Sequence, residues 1–316
     1  MSKMKHVVLL GAGAIGVLPA AKLAGCGGVK LTVAADAERI ARYRSEGIFL
    51  NGEKLPFCYA SPEELEIADL IIVATKMTTL GAALENVAQA VNENTVFLPL
   101  LNGISARDVI SARFPQCRVL GGFHLGHASV RVGNRVTHDG VGTIYCGGEG
   151  AALDFVTGLL KSAGVDVEAP DNFEVAMWQK FVLNVGINQT QAFFQADYGM
   201  VQKSPEMLRM VWDLMEEAVA VGKACGVALG DEVIDSAMMV VCKMPPQVKT
   251  SMLQDVEAGR ETEVDAFAGT VCRLAEKHNI EVPKNRLVLE KVRGAPVFVL
   301  SSSLQAENEA TPLSRS

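Results

Sequence analysis

The feature that most constrains the fold is a glycine-rich turn between an apolar run and a helical pattern near the N-terminus. The run HVVLLG (6–11) has the length and branched side chains of a buried strand, and residues 14–23 have helical periodicity. Between them GAGAIG (11–16) matches G-x-G-x-x-G. Glycines there let the backbone approach a pyrophosphate, and the helix N-terminus offers N–H groups and positive potential. In this strand–turn–helix context the motif predicts dinucleotide binding.

The rest of the first half alternates apolar runs with helical patterns. LIIVAT (70–75) and TVFLPLL (95–101) are continuously apolar, as expected for strands that are covered on both faces. The alternation predicts a parallel, doubly wound sheet. The other predicted elements are a strand at 30–36, a helix at 38–45, a hairpin at 48–59 turning at Asn51-Gly52, and short strands at 118–122 and 143–146.

The second half changes character after residue 170, because periodicity from 175 to 298 is helical throughout. We therefore expect an α/β fold with two domains. Residues 1–170 would form the dinucleotide-binding sheet domain, and residues 171–316 an all-helical domain for substrate and catalysis. The polar tail 301–316 is expected to fray.

Composition excludes several classes of function. A net charge of −7 over 316 residues argues against nucleic-acid binding and against docking on an anionic membrane. No run reaches the ~18 apolar residues of a membrane helix. Seven cysteines without a C-x-x-C pair favour a reducing, cytoplasmic location. His124 and His127 lack a third ligand at suitable spacing, so no metal is expected. A homodimer is the assembly that we keep in view.

Three polar residues follow predicted strands at the edge where such sheets bind ligands. Asp36 closes the second strand, Lys76 follows LIIVAT, and Asn102 follows TVFLPLL. Alone, the lysine would be a solvated side chain and the asparagine a turn former. Because they are expected at the same sheet edge as the glycine turn, a role in ligand binding is favoured for them. The expected coenzyme-binding residues are Gly11, Gly13, Ala14, Ile15, Gly16, Asp36, Lys76 and Asn102.

A polar stripe interrupts the apolar segment WQKFVLNVGINQTQ (178–191). Lys180, Asn184 and Asn188 drift only ~40° per step on a helix, so they share one face. Burying such groups without hydrogen-bonding or charged partners would cost on the order of several kcal/mol each. The stripe therefore faces water, a ligand or an interhelical hydrogen-bond network. Lys180 and Asn188 are ~12 Å apart along the axis, which makes Lys180 and Asn184 the better gripping pair.

The segment TSMLQDVEAGRETEVDAFAG (250–269) supplies two further candidates. Ser251 has Gln254 three residues later, which alone predicts a helix N-cap in a capping box. Glu263 falls where a carboxylate suits the start of a helix. Structural roles are therefore the default for both residues when they are considered without the rest of the chain.

These motifs together resemble the ketopantoate reductase family, also called 2-dehydropantoate 2-reductases. The resemblance covers residues 6 to 290 and rests on GAGAIG, T-Lys76, LNG, Lys180-x3-Asn184-x3-Asn188, and SMLQD followed by TEVD. It implies a Rossmann domain, a helical domain and a site in the cleft between them. It also implies NADPH-dependent reduction of 2-dehydropantoate to pantoate in pantothenate and coenzyme A biosynthesis.

The resemblance also implies roles for individual residues. Lys180 is similar to the family's general acid, and Glu263 to its second catalytic carboxylate. A protonated lysine suits the charge that develops on a ketone oxygen. The residues that resemble those holding substrate and nicotinamide are Asn102, Asn184, Asn188 and Ser251; Lys76 resembles the lysine near the cofactor.

Three departures from the family pattern bear on specificity. Asp36 stands where the family often has an arginine, and an acidic residue there favours NADH over NADPH, with use of both as the alternative. Arg39, Arg42 or Arg44 would have to offset its charge for NADPH. Tyr198 stands where an asparagine is common, and QTQ replaces PLT after Asn188, which bears on the keto acid.

Two other functions stay open at this stage. One is reduction of a different branched or aromatic 2-keto acid on the same scaffold. The other is a nucleotide-binding sensor without turnover, although a pure binder has no need of a proton donor such as Lys180.

Overall fold

The computed structural model describes residues 4–126, 129–139 and 142–294. The chain divides into two compact units, Met1–Met177 and Trp178–Ser316. In the part of the chain that is described, no helix combines the length and apolar character needed to cross a membrane. All seven cysteines are free thiols.

The described residues of the first unit hold thirteen strands, five complete α-helices and two short 3-10 helices (Pro62–Glu64 and Ala88–Ala90), and those of the second unit are helical. In chain order the strands are β1 (Lys5–Leu10), β2 (Val29–Ala34), β3 (Phe49–Leu50), β4 (Glu53–Lys54), β5 (Cys58–Ala60), β6 (Leu70–Val73), β7 (Val96–Pro99), β8 (Arg118–Val119), β9 (Gly121–Leu125), β10 (Ser129–Val132), β11 (Arg135–His138), β12 (Thr143–Gly147) and β13 (Val167–Glu168). The helices are α1 (Val17–Ala24), α2 (Ala37–Glu46), α3 (Met77–Glu85), α4 (Ala106–Arg113), α5 (Gly150–Ser162), α6 (Phe173–Phe194), α7 (Tyr198–Lys203), α8 (Pro205–Ala224), α9 (Val233–Lys243), α10 (Ser251–Glu257), α11 (Thr270–His278) and α12 (Pro283–Gly294).

The main sheet has six parallel strands in the order β5-β2-β1-β6-β7-β8. Successive side chains of a strand point to opposite faces. Val7 and Leu9 of β1 accordingly enter a core shared with α1 and α2, while Val8 and Leu10 enter a second core shared with α3 and α4. Helices therefore cover both faces, and the predicted doubly wound sheet is confirmed.

The predicted hairpin at 48–59 is confirmed at its turn and wrong at its end. Strands β3 and β4 pair antiparallel around Asn51-Gly52, whose positive φ angles of 51° and 90° suit a type I′ turn. The residues up to Tyr59 do not continue the hairpin. Cys58–Ala60 instead form β5, which pairs in parallel with β2. This pairing satisfies the backbone hydrogen-bonding groups along the open edge of β2. The local hairpin pattern in the sequence does not indicate such a pairing.

Two smaller sheets complete the first unit. The predicted strand at 118–122 is split, because β8 belongs to the main sheet and β9 pairs antiparallel with β12. Strands β10 and β11, which the sequence patterns left unassigned, form an antiparallel hairpin. This hairpin extends the β3–β4 sheet, since β11 runs parallel to β3.

Candidate active site

The glycine turn packs against the end of β6. Gly11 has a φ of 100°, and a Cβ there would lie 2.6 Å from the carbonyl carbon of Ala74. A Cβ on Gly16 would lie 2.6 Å from the carbonyl oxygen of Gly11. At Gly13 a Cβ would meet only the carbonyl oxygen of Ala74, at an ordinary 3.6 Å. Internal packing thus requires glycine at positions 11 and 16. It does not require glycine at position 13, where the missing side chain instead leaves room for a ligand to approach the backbone.

The start of α1 fits a dinucleotide. Gly16 occupies the N-cap position and offers no side-chain hydrogen bond to the first turn. Ala14 and Ile15 of the preceding turn are partly exposed. Backbone N–H groups at a helix start, with no side chain over them, form the kind of cradle that binds a pyrophosphate.

Asp36 lies just beyond β2 and caps α2. Its carboxylate accepts a hydrogen bond from the backbone N–H of Arg39, with Oδ1 at 2.8 Å from the nitrogen. The other oxygen lies 3.4 Å from Nε of Arg39. The side chain is 47% exposed, so it stays accessible to a ligand while it stabilises the helix.

Lys76 and Asn102 follow neighbouring strands. The backbone N–H of Ala74 donates to Leu10, and that of Leu100 donates to Val73, so the ends of β1, β6 and β7 lie side by side. Lys76 and Asn102 come two residues after these contacts and are partly buried. The structure therefore brings Gly11, Lys76 and Asn102 to the carboxyl edge of three adjacent strands, where open α/β sheets bind ligands.

The second unit carries the polar stripe on α6, which is one continuous helix as predicted. Lys180 and Asn184 are partly buried, and Asn188 is 7% exposed. Phe181, Val182, Val185 and Ile187, on the other faces, are almost completely buried. The stripe is thus a polar line on a helix whose neighbouring apolar side chains form core.

Lys180 and Glu263 act on each other electrostatically. Removal from water lowers the pKa of the Lys180 ammonium to about 8, and the negative charge of Glu263 opposes that shift by raising the pKa. Glu263 is 4% exposed. A lysine with a pKa of about 8 is mostly protonated at neutral pH and gives up its proton more readily than an ordinary lysine.

Aromatic packing and an unusual helical turn position Glu263. Asp265–Gly269, which begins two residues after it, forms a π-helical turn. Such turns are rare in proteins overall but occur often at functional sites. The backbone N–H groups of Ala266 and Phe267 donate to the Glu263 carbonyl. The Phe267 ring packs 6.2 Å from that of Phe181, the residue next to Lys180. The carboxylate and the ammonium are therefore carried by neighbouring parts of one core.

Both units of the chain match a known protein family. The family model "Ketopantoate reductase PanE/ApbA" matches residues 7–150, and "Ketopantoate reductase PanE/ApbA C terminal" matches residues 172–295. A 2-dehydropantoate 2-reductase from Streptococcus pyogenes serotype M3 is 30% identical over 265 residues, covering 81% of this chain and 86% of the relative. This chain belongs to the ketopantoate reductase family.

Solved structures share the fold. A PanE/ApbA family ketopantoate reductase from Ralstonia eutropha JMP134 has a TM-score of 0.82 at 27% identity, covering 91% of this chain and 97% of that one. A D-mandelate dehydrogenase with NADH and anilino(oxo)acetate also has a TM-score of 0.82 and the same coverage, at 24% identity. The second likeness shows the fold alone.

Ser251, expected from its local pattern to be an N-cap, is not one. The cap of α10 is Thr250, whose hydroxyl accepts a weak hydrogen bond from the N–H of Leu253 at 3.5 Å. Ser251 is the first residue of the helix and is exposed. Either hydroxyl can serve as an N-cap, and the Gln254 three residues after Ser251 favoured the wrong one, because Leu253 stands at that spacing from Thr250. In this family member, Ser251 is left available for other contacts.

A further side chain, Gln191, was missed by the sequence patterns. It lies eleven residues after Lys180, or three helical turns plus ~20°, and so continues the stripe. Its Oε1 accepts a hydrogen bond from the N–H of Thr250 at 2.8 Å, which ties α6 to the start of α10. The side chain is fully buried, and its amide nitrogen has no partner in the described structure. Only its spacing from Lys180 could have indicated this.

An interhelical network of the kind considered as an alternative exists on another face of α6. Gln189 donates to Asn285 Oδ1 at 3.0 Å, and Asn285 donates to a carboxylate oxygen of Glu217 at 2.8 Å. Glu217 also accepts the backbone N–H groups of Lys284 and Asn285 near the start of α12. Gln189 lies nine residues after Lys180, or ~180° around the helix, so this structural network uses the face of α6 opposite Lys180.

Two other positions considered in the sequence have distinct outcomes. Tyr198 is 6% exposed, and burial raises its pKa to about 12, so the phenol is neutral. Gly199 after it is required by packing, because a Cβ would lie 2.8 Å from Cβ of Pro246. His127 lies outside the described residues. Within the described ranges, no group of three His, Cys, Asp or Glu could hold a metal ion.

Proposed function

We propose that this chain reduces 2-dehydropantoate to pantoate with a reduced nicotinamide coenzyme. The observation that carries the proposal is the Lys180–Glu263 pair, in which burial brings the pKa of a lysine to about 8 beside a buried carboxylate. Membership of the ketopantoate reductase family supports the same activity. Its substrates are small 2-keto acids.

In the proposed reaction the coenzyme supplies a hydride to C2 of the keto acid. Lys180 donates a hydrogen bond to the ketone oxygen and then its proton, so that the carbonyl becomes a hydroxyl. Glu263 holds the ammonium in its charged form. We assign Asn184, Asn188 and Ser251 to the carboxylate and hydroxyl groups of the substrate, and Asn102 to both substrate and nicotinamide.

The glycine turn and its neighbours would hold the coenzyme. Gly11, Gly13, Ala14, Ile15 and Gly16 would cradle the pyrophosphate with their backbone, and Lys76 would add a positive charge nearby. These assignments rest on the packing of the turn, in which Gly13 alone is free of an internal steric demand.

We propose that both NADH and NADPH are used. Asp36 is about half exposed and can accept hydrogen bonds from the ribose hydroxyls of NADH. Arg39 beside it offsets part of the charge that would repel the 2′-phosphate of NADPH. The test is kcat/KM for each coenzyme at fixed keto acid in wild type and Asp36→Arg. We expect Asp36→Arg to shift the ratio towards NADPH by about tenfold or more; an unchanged ratio would remove Asp36 from coenzyme choice.

A second candidate is a different branched or aromatic keto acid, because the buried Tyr198 stands where an asparagine is common in the family. The experiment crosses both coenzymes with a panel of 2-keto acids, following nicotinamide absorbance. The proposal predicts that 2-dehydropantoate gives the highest kcat/KM. A better aromatic substrate would establish the second candidate, and absence of turnover with every pair would favour the sensor. A homodimer stays a prediction, and a measurement of the molecular mass in solution would test it.

A further inference from the structure

The β10–β11 hairpin carries an arginine to the glycine turn. The guanidinium of Arg131 donates from Nη1 to the carbonyl oxygen of Ala12, the residue between the first two glycines of the motif. It also donates from Nη2 to the hydroxyl of Tyr43 at 3.3 Å, and from Nε to the carbonyl of Gly133 at 2.8 Å. Arg131 is separated from Ala12 by 119 residues, so no local motif announces the contact.

These contacts place a fixed positive charge at the rim of the turn. A guanidinium has five N–H donors, and Arg131 uses three of them on protein acceptors in the described structure, leaving two. Arginine is always charged and its planar fork matches phosphate oxygens. The three protein acceptors fix the side chain in place, so little further entropy is lost when a phosphate binds.

Helix α2 carries further charged side chains near this contact. The Arg42 guanidinium lies 5.6 Å from the ring centroid of Tyr43, the tyrosine whose hydroxyl Arg131 contacts. Arg39 is paired with Asp36. Arg44 is turned elsewhere, towards Tyr59 and Glu64. The opposite charges of Asp36 and Arg39 offset each other, so Arg42 and Arg131 supply positive charge near this turn and Glu38, one helical turn before Arg42, supplies a negative one.

We propose that Arg131 binds the 2′-phosphate of NADPH and is the residue that admits this coenzyme despite Asp36. The 2′-position of the adenosine ribose lies at the end of the second strand in this fold, beside the glycine turn. Arg131 reaches that region from the hairpin, and Arg42 adds charge from α2. The inference rests on the proposed use of nicotinamide coenzymes and adds the residue that discriminates between them.

A purely structural role for Arg131 makes a different prediction. If the side chain only braces the turn through the Ala12 carbonyl, its loss weakens binding of both coenzymes alike, because both place a pyrophosphate on that turn. A 2′-phosphate contact affects NADPH and leaves NADH nearly unchanged. The ratio of the two dissociation constants therefore separates the roles.

The experiment measures Kd for NADPH and NADH by nicotinamide fluorescence with the full-length protein, and Kd for 2′,5′-ADP and ADP by competition. The variant is Arg131→Gln. The matched control is Arg135→Gln, which removes the same charge from the paired strand of the hairpin, where the guanidinium stacks 4.5 Å from the Phe49 ring. Thermal melting of each variant accompanies the binding curves.

Loss of a charge-assisted phosphate contact predicts a rise of about 10- to 100-fold in Kd for NADPH and 2′,5′-ADP in Arg131→Gln. Kd for NADH and ADP should change less than about threefold, and Arg135→Gln should match wild type for all four ligands. Equal weakening of both coenzymes, or no weakening of NADPH, would overturn the proposal. A wild type that binds NADH and excludes NADPH would do the same. If wild type reduces keto acids while Arg131→Gln discriminates normally, this inference fails and the proposed function stands.

Discussion

The glycine turn of the first unit and the polar stripe of the second are specified by different physics. In the turn, steric exclusion decides the sequence, since Cβ atoms on Gly11 or Gly16 would lie 2.6 Å from backbone atoms. In the stripe, electrostatics decides what the residues can do, since burial and Glu263 set the pKa of Lys180 in opposite directions. The turn is read from a short motif, while the stripe needs partners that are distant in sequence.

This difference predicts which measured property a substitution in each region should change. A change in the turn should alter coenzyme affinity and leave the pH dependence of the chemistry intact. A change in the stripe should alter turnover and its pH profile and leave coenzyme affinity intact. The comparison breaks if either class of variant produces the other's signature.

The largest effect is expected at Lys180. Lys180→Ala removes the proposed proton donor, so kcat for keto-acid reduction should fall by about 10²–10⁴-fold. Kd for the coenzyme should stay within about twofold of wild type, since the motif that binds it is untouched. Lys243→Ala, at the exposed end of α9, is the control for losing one lysine. A folded Lys180→Ala protein with near-normal kcat would remove Lys180 from the chemistry.

Glu263→Gln should sharpen the electrostatic side of the comparison. The negative charge of Glu263 raises the pKa of Lys180, so its loss lowers that pKa below about 8. Lys180 is the active acid when protonated, so kcat in wild type should be constant below pH 8 and fall above it. In Glu263→Gln the fall should begin at lower pH. At pH values above the pKa of Lys180 in both proteins, kcat should be reduced about tenfold for each unit by which that pKa is lowered.

The control for this profile is Glu261→Gln, which removes an exposed carboxylate two residues away. Its pH profile should coincide with that of wild type. If Glu263→Gln retains the wild-type profile, Glu263 does not tune Lys180.

Gly13→Ala tests the turn without an internal clash. The new Cβ meets only the Ala74 carbonyl oxygen at 3.6 Å, so the melting temperature should stay close to that of wild type. Coenzyme affinity should fall by about tenfold or more, because the methyl group occupies the approach to the pyrophosphate. Gly25→Ala, after the same helix, places a Cβ 3.6 Å from the Lys22 carbonyl oxygen and should leave affinity unchanged. Equal affinity in Gly13→Ala would show that the coenzyme does not approach this glycine.

The smallest effects are expected at two adjacent hydroxyls. Ser251→Ala should raise KM for the keto acid about 2- to 10-fold, the value of one neutral hydrogen bond, with stability unchanged. Thr250→Ala should lower the free energy of unfolding by about 0.5–2 kcal/mol, because Thr250 caps α10. Steady-state kinetics and chemical denaturation, each measured on both variants, test these two expectations. A stability loss confined to Ser251→Ala would reverse the assignments.

The fold was predictable where local pattern and tertiary demand agree. The run at 6–11, the glycine turn and α6 are examples, since burial and periodicity point to the same element. Prediction failed at Tyr59, where the hairpin pattern was outweighed by the open edge of β2. The cap of α10 was misplaced by one residue because Ser251 fits the capping-box pattern through Gln254, while the actual cap, Thr250, does not.

The site was predictable only in part, for a related reason. Residue spacing places Lys180, Asn184 and Asn188 on one face, since that depends on helix geometry alone. The contacts of Arg131 with Ala12, Gln191 with Thr250, and Gln189 with Asn285 join residues 119, 59 and 96 positions apart. Nothing in a short window of sequence encodes such contacts.

The most direct test of the proposed chemistry is isotope transfer from a coenzyme carrying deuterium at both C4 positions of the nicotinamide. The wild-type protein is incubated with 2-dehydropantoate and deuterated NADH or NADPH, and the product is analysed by mass spectrometry and proton NMR. The account predicts pantoate with one deuterium at C2, formed at a rate equal to coenzyme oxidation. Pantoate without deuterium, or coenzyme oxidation without pantoate, would contradict it.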